Sequence, residues 1–106
     1  MTTSVEAVSV DVPRLPCYLV EWYRPEFTDE ELDEAAATLR ECAAVMGADG
    51  SPVQLRMTLA VPSDEVIFAI FASSSAHLVA QTCNQAGMPA QRITAAIDAD
   101  IARVGP

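Results

Sequence analysis

The chain has 106 residues, and its 51% hydrophobic content predicts one globular domain with a single core and argues against a disordered chain. Six basic residues against fifteen acidic ones leave a net charge of -9, which argues against binding to nucleic acid or anionic membrane surfaces because like charges repel. No apolar run approaches the roughly 20 residues that cross a bilayer, and no signal-peptide pattern opens the chain, so we expect a cytoplasmic protein.

The first predicted strand is the run Cys17-Tyr18-Leu19-Val20-Glu21-Trp22-Tyr23. Residues 1–16, which precede it, are weakly patterned and proline-containing, so we expect a flexible arm before a domain spanning 17–106. Alternate side chains of a strand point to opposite faces. The core face should carry Tyr18, Val20 and Trp22, and the other face Leu19, Glu21 and Tyr23. Glu21 is therefore the one acid on an otherwise apolar strand.

A helix is predicted over about 28–47. Thr28 and Glu31 have the spacing of a capping box, and Phe27 can pack onto the first turn. Apolar residues recur at helical spacing along the segment, and Gly47 is expected to end it. The acids of the first turn complement the helix dipole, which explains them better than a cation site does.

Two strands, a second helix and a last strand are predicted to follow. Between 53 and 61 the alternation places Val53, Leu55, Met57, Leu59 and Val61 on one face, and Gln54, Arg56, Thr58 and Ala60 on the other. A run over 66–72 is apolar on both faces, as in an inner strand. Serines 73–75 begin a helix that ends at Gly87, and a strand of alternating residues occupies about 92–98.

This order of elements predicts an α+β fold, the ferredoxin-like βαββαβ arrangement with a four-stranded antiparallel sheet and two helices on one face. The opposite face of the sheet would then be uncovered. We expect it to carry Leu19, Glu21, Tyr23, Gln54, Arg56, Thr58, Thr94 and Ala96, together with one set from the third strand. A partly apolar surface of this size predicts a homodimer.

Several short motifs resemble a bacterial family of small ferredoxin-like proteins, most of them domains of unknown function, which includes a nickel-binding member. The motifs are the run from Tyr18 to Glu21, the acidic helix start, Pro62-Ser63-Asp64-Glu65, and the stretch from Ser75-Ala76 through Ala86-Gly87-Met88-Pro89 to Arg92-Ile93. The resemblance covers about 17–98. It implies a dimeric α+β barrel, in which two sheets pack through their open faces.

Cysteine and histidine, which are usual ligands of transition metals, are sparse and scattered. Cys17, Cys42 and Cys83 fit neither a disulfide framework nor a CxxC site, so we expect buried free thiols. The one histidine, His77, is expected in a solvated position on the second helix. We therefore expect neither a cofactor nor a metal site, although the resemblance suggests nickel.

Four functions remain open at this point. The first is a homodimer that binds a small organic molecule on the open sheet face, and the second is a cofactor-independent isomerase, cyclase or monooxygenase. The third is a nickel-binding protein, and the fourth is a purely structural dimer. The predicted site residues are Glu21, as acid or base, and the ligand contacts Tyr23, Gln54, Arg56, Thr58 and Trp22.

Overall fold

The computed structural model describes residues 15–96. Residues 1–14 of the predicted arm, and residues 97 and 98 at the end of the last predicted strand, lie outside the described residues. The strands are β1 (Cys17–Tyr23), β2 (Val53–Val61), β3 (Val66–Ser73) and β4 (Arg92–Ala96), and the helices are α1 (Asp29–Ala48) and α2 (Ala76–Gln85).

The four strands form one antiparallel sheet in the order β2-β3-β1-β4. β1 and β3 occupy the centre, so each of them is hydrogen-bonded to a neighbouring strand along both of its edges. The connection from β2 to β3 is a single turn of 3₁₀ helix, Pro62–Asp64. The predicted ferredoxin-like α+β fold is confirmed.

Helix α1 begins with the predicted capping box. The Glu31 amide donates to Thr28 Oγ1 at 3.1 Å, and the Thr28 amide donates to Glu31 Oε1 at 2.8 Å. These bonds satisfy amides that a helix start leaves without partners. The predicted stop at Gly47 is wrong, because the Asp49 amide still bonds to carbonyls of the last turn. After this helix the chain first takes a positive φ, of 90°, at Gly50.

Both helices pack on one face of the sheet, where they enclose the core. Val20 and Phe71 are fully buried there, beside Leu39 of α1 and Val79 of α2. Trp22 is 4% exposed on the same side, and its Nε1 donates to the Met88 carbonyl at 2.9 Å. The core face predicted for the first strand is therefore confirmed.

The two-residue alternation of β2 is broken by a bulge. Leu55 pairs with Phe71 and Met57 pairs with Ile70, which leaves Arg56 without a partner across the strands. An unpaired residue reverses the side on which every later side chain points. Thr58 therefore pairs with Ala69 on the helix-covered side. The prediction that Thr58 lies on the open face is wrong, as is the prediction that Met57, Leu59 and Val61 face the core.

Candidate binding face of the sheet

The sheet face opposite the helices, here called the open face, is defined by the strand register. Within residues 15–96 no helix packs against it. Residues directly across an antiparallel pair share a face. The residues that the register assigns to the open face are Cys17, Leu19, Glu21 and Tyr23 of β1, Gln54, Met57, Leu59 and Val61 of β2, Val66, Phe68, Ile70 and Ala72 of β3, and Arg92, Thr94 and Ala96 of β4.

Large apolar side chains are exposed on the open face. Met57 is 53% exposed, Leu59 is 54% exposed and the aromatic residue Tyr23 is 47% exposed. Phe68 and Ile70, on the central strand beside them, are half-buried. Isolated exposed apolar residues are ordinary, but a contiguous group on one face is typical of an interaction surface.

Glu21 forms the polar centre of this face. The Tyr23 hydroxyl donates to Glu21 Oε1 at 2.5 Å, and Arg92 Nε lies 3.6 Å from Glu21 Oε2. In the register Glu21 stands directly between Phe68 on one neighbouring strand and Arg92 on the other. Its side chain is only 12% exposed, whereas that of Arg92 is 64% exposed. The carboxylate is thus engaged and covered, while the guanidinium is accessible.

Gln91 fixes the geometry of this polar centre. Its side-chain Oε1 accepts from the Tyr23 amide at 2.6 Å, and its own amide donates to the Glu21 carbonyl at 3.0 Å. Both bonds join the end of β1 to the start of β4. They hold the following residue, Arg92, in register with Glu21.

The hydrogen bond to Glu21 raises the pKa of the Tyr23 hydroxyl, because the carboxylate accepts from the protonated form. Desolvation and the negative charge of Glu21 add to this rise. Arg92 acts in the opposite direction, since a nearby cation favours the phenolate. The carboxylate outweighs the guanidinium, so Tyr23 stays protonated as a hydrogen-bond donor well above neutral pH.

The predicted site residues separate into three groups. Glu21 and Tyr23 lie together on the open face. Gln54 and Arg56 are exposed on the edge strand β2, two strands from β1 and therefore about 10 Å from Glu21. Thr58 and Trp22 lie on the helix-covered side, as described above, and take no part in the open-face cluster.

Sequence reasoning did not assign a role to Arg92 or Gln91. One signal for Arg92 was present, since alternation along the last strand places it on the same side as Thr94 and opposite Ile93. What the sequence lacked was the register that sets Arg92 beside Glu21. The role of Gln91 depends on two bonds across the strand ends, and no local pattern indicates them.

Surface depressions also occur away from the centre of the open face. One of about 320 Å³ lies at the end of β1 and is bordered by Tyr23, Arg24, Pro25, Asp64 and Glu65. Another, of about 610 Å³, lies before α1 and is bordered by Arg24, Glu26, Phe27, Thr28 and Glu31. Both have acidic rims, and neither contains Glu21 or Arg92.

Two further features bear on the class of site. Across residues 15–96, no three His, Cys, Asp or Glu side chains come together in a way that could hold a metal ion. None of the described helices is long and apolar enough to cross a membrane. All three cysteines are free, with Cys83 buried and the other two half-buried.

Comparisons with known proteins support the fold. No protein-family model matches the chain, and no curated protein matches it. Among solved structures, the crystal structure of SCO4226 from Streptomyces coelicolor A3(2) is similar, with a TM-score of 0.66 and 20% sequence identity. The similarity covers 78% of this chain and 99% of SCO4226. At this identity it shows a shared fold and carries no functional conclusion.

Proposed function

We propose that the protein is a homodimer that binds a small, partly apolar organic molecule between the open faces of two copies. The observation that carries this proposal is the composition of the open face, where exposed apolar side chains and a covered carboxylate lie on the same side of the sheet. A surface that contacts nothing but water would not be expected to combine exposed apolar side chains with a covered carboxylate.

The apolar part of the open face supports association with a second copy. Met57 and Leu59 are each more than half exposed on an edge strand, and Phe68 and Ile70 extend the same surface to the centre of the sheet. Removing apolar area from water stabilises an assembly by about 25 cal/mol per Å². A second open face offers the same composition, which suits the self-complementary interface of a twofold dimer.

The polar centre supports binding of a small molecule. Ligand pockets are mostly apolar with a few fixed polar groups, and Glu21, Tyr23 and Arg92 are such groups. Their positions are held by the bonds among them and by Gln91 at the strand ends. Tyr23 and Arg92 are the more exposed members of this centre, whereas Glu21 is largely covered.

Nickel binding, which the family resemblance suggests, does not fit the donors in the described part of the chain. Imidazole is a usual ligand for such a metal, and His77 is exposed on α2, in the helical layer. No three potential ligands converge within residues 15–96. We therefore propose an organic ligand and no nickel site.

The dimer is tested by light scattering after size exclusion, at micromolar concentration. Leu59→Arg should give a monomer, because it places a charge in the proposed interface. Val45→Arg is the matched control, since Val45 is 58% exposed on α1 in the helical layer. It should remain dimeric. A monomeric wild type, or equal behaviour of the two variants, would show that the open face is not the interface.

Ligand binding is tested with the neutral fluorescent dye N-phenyl-1-naphthylamine. The wild type and Val45→Arg should bind it with saturation, and Leu59→Arg should lose binding together with dimerisation. Circular dichroism confirms that each variant is folded. A folded dimer that does not bind the dye would leave the structural dimer as the better account.

A further inference from the structure

We infer that the molecule bound on the open face carries one anionic group, which Arg92 binds, attached to an apolar body that lies over the centre of the sheet. This inference rests on the proposed function and adds the chemical class of the ligand. It follows from the distribution of charge between the two layers and from the accessibility of Arg92.

The charges of the described chain are unequally divided between its layers. Helix α1 carries six acids against one arginine. The four strands together carry one acid, Glu21, and two arginines, Arg56 and Arg92. The sheet is therefore the part of this acidic protein where an anion meets the least repulsion.

Within the polar centre, the negative charge is already engaged and the positive charge is accessible. Glu21 accepts from Tyr23 and lies beside Arg92 Nε, with 12% of its side chain exposed. The Arg92 side chain is 64% exposed, and its ion pair with Glu21 is made through Nε. A guanidinium presents five N–H donors in a planar fork that suits a carboxylate, sulfonate or phosphate. A cationic ligand would find no comparably accessible acid on this face among residues 15–96.

The apolar body is accommodated by the neighbouring strands. Across the sheet from Arg92, the register passes through Glu21 to Phe68, about 10 Å away at strand spacings of about 4.8 Å. Leu19 and Ile70 form the adjacent apolar pair. A ligand with its anionic end at Arg92 can therefore lay one or two rings over these three side chains.

Two dyes with the same aromatic body distinguish this inference from the proposed function. The sulfonate 8-anilino-1-naphthalenesulfonate is anionic, and N-phenyl-1-naphthylamine lacks the sulfonate. Fluorescence titration of the wild type should give about tenfold tighter binding of the anionic dye, as for a charge-assisted contact. Arg92→Gln should remove that preference and leave the affinity for the neutral dye unchanged.

Further variants separate a binding role of Arg92 from a structural one. Arg92→Lys keeps the charge and should retain part of the preference. Arg56→Gln is the control for charge alone, since Arg56 lies at the bulge of β2, three strands from β4. It should change neither affinity.

The outcomes are distinct. Equal affinity of the wild type for the two dyes, or a preference that survives Arg92→Gln, would overturn the inference and leave the proposed function intact. Binding of neither dye would overturn the proposed function and the inference with it. If Arg92→Gln unfolds, the comparison of wild type, Arg92→Lys and Arg56→Gln decides. A preference weakened by Arg92→Lys but not by Arg56→Gln would support the inference, and any other pattern would overturn it.

Discussion

Tyr23 and Glu21 lie two positions apart on β1, and the tyrosine hydroxyl donates to the carboxylate at 2.5 Å. This spacing places both side chains on one face of a strand. The tyrosine thereby engages one oxygen of the acid, while the other faces Arg92. The carboxylate that is predicted to act as an acid or base therefore contacts both a phenol and a guanidinium on the open face.

The first prediction concerns the pKa of Tyr23, which Glu21 raises above its ordinary value near 10. Glu21→Gln removes the charge and weakens the hydrogen bond, so the pKa should fall toward that ordinary value. Ultraviolet absorbance of tyrosinate, followed against pH in a Tyr18→Phe background, measures it. Tyr23→Phe in the same background should abolish the transition, and an unchanged midpoint in Glu21→Gln would contradict the prediction.

The raised pKa also makes stability depend on pH in a defined direction. The native state holds the Tyr23 proton more tightly than the unfolded chain does. Its contribution to stability is therefore fully present below about pH 10 and is lost as the pH rises through the higher native value. Tyr23→Phe should show a smaller loss of stability over this alkaline range.

A second prediction tests the core against the surface on a single helix. Leu39 is 1% exposed in the core, and Val45, further along α1, is 58% exposed. Leu39→Ala leaves a cavity and should lower the free energy of unfolding by about 2–5 kcal/mol. Val45→Ala should change it by no more than about 0.5 kcal/mol. Denaturant titration of both variants measures the difference, and similar losses would contradict the described packing.

A third prediction concerns the thiol of Cys83 on α2. Burial, with a smaller effect of Cys42, raises its pKa to about 12. Maleimide labelling near neutral pH should therefore modify the half-buried Cys42 of α1 much faster than Cys83, as resolved by peptide mass spectrometry. Comparable rates in the folded protein would contradict this.

The raised pKa of Cys83 also makes stability depend on pH. The native thiol holds its proton more tightly than the unfolded chain does, so stability should fall as the pH rises from about 9 toward 12, and should fall less in Cys83→Ala.

Features that depend on neighbouring residues could be predicted from the sequence. The capping box needs only Thr28 and Glu31 at the right spacing, and the two faces of β1 follow from alternation over seven residues. The order of elements was sufficient for the fold, because each helix joins two parallel strands of the sheet, and right-handed crossovers of this kind place both helices on the same face. These predictions are confirmed.

Features that depend on pairing between strands could not be predicted. The bulge of β2 is a property of its register with β3, and its own alternating sequence indicates a regular strand. The prediction for Thr58 is wrong for this reason. The approach of Arg92 to Glu21 likewise requires the register between the first and last strands. The functions proposed for the site residues stay predictions until ligand binding is measured.

The last prediction tests the bulge directly. Leu55 faces the helices and Met57 faces away from them, although one residue separates them, because Arg56 lies between them without a partner. Deleting Arg56 joins Leu55 to Met57 and restores a two-residue alternation in which both keep their present faces. We therefore expect the deletion variant to fold and to lose no more than about 1 kcal/mol in the free energy of unfolding.

The matched control is deletion of Ala69 from β3, a central strand that pairs along its length with β1 and β2. That deletion has no extra residue to absorb it, so it should turn Phe68 or Phe71 to the wrong face and abolish cooperative unfolding. Circular dichroism and denaturant titration of the two variants measure the contrast. If deleting Arg56 is as damaging as deleting Ala69, the extra residue is part of the strand register, and the side chains of Met57 and Leu59 do not face away from the helices as described here.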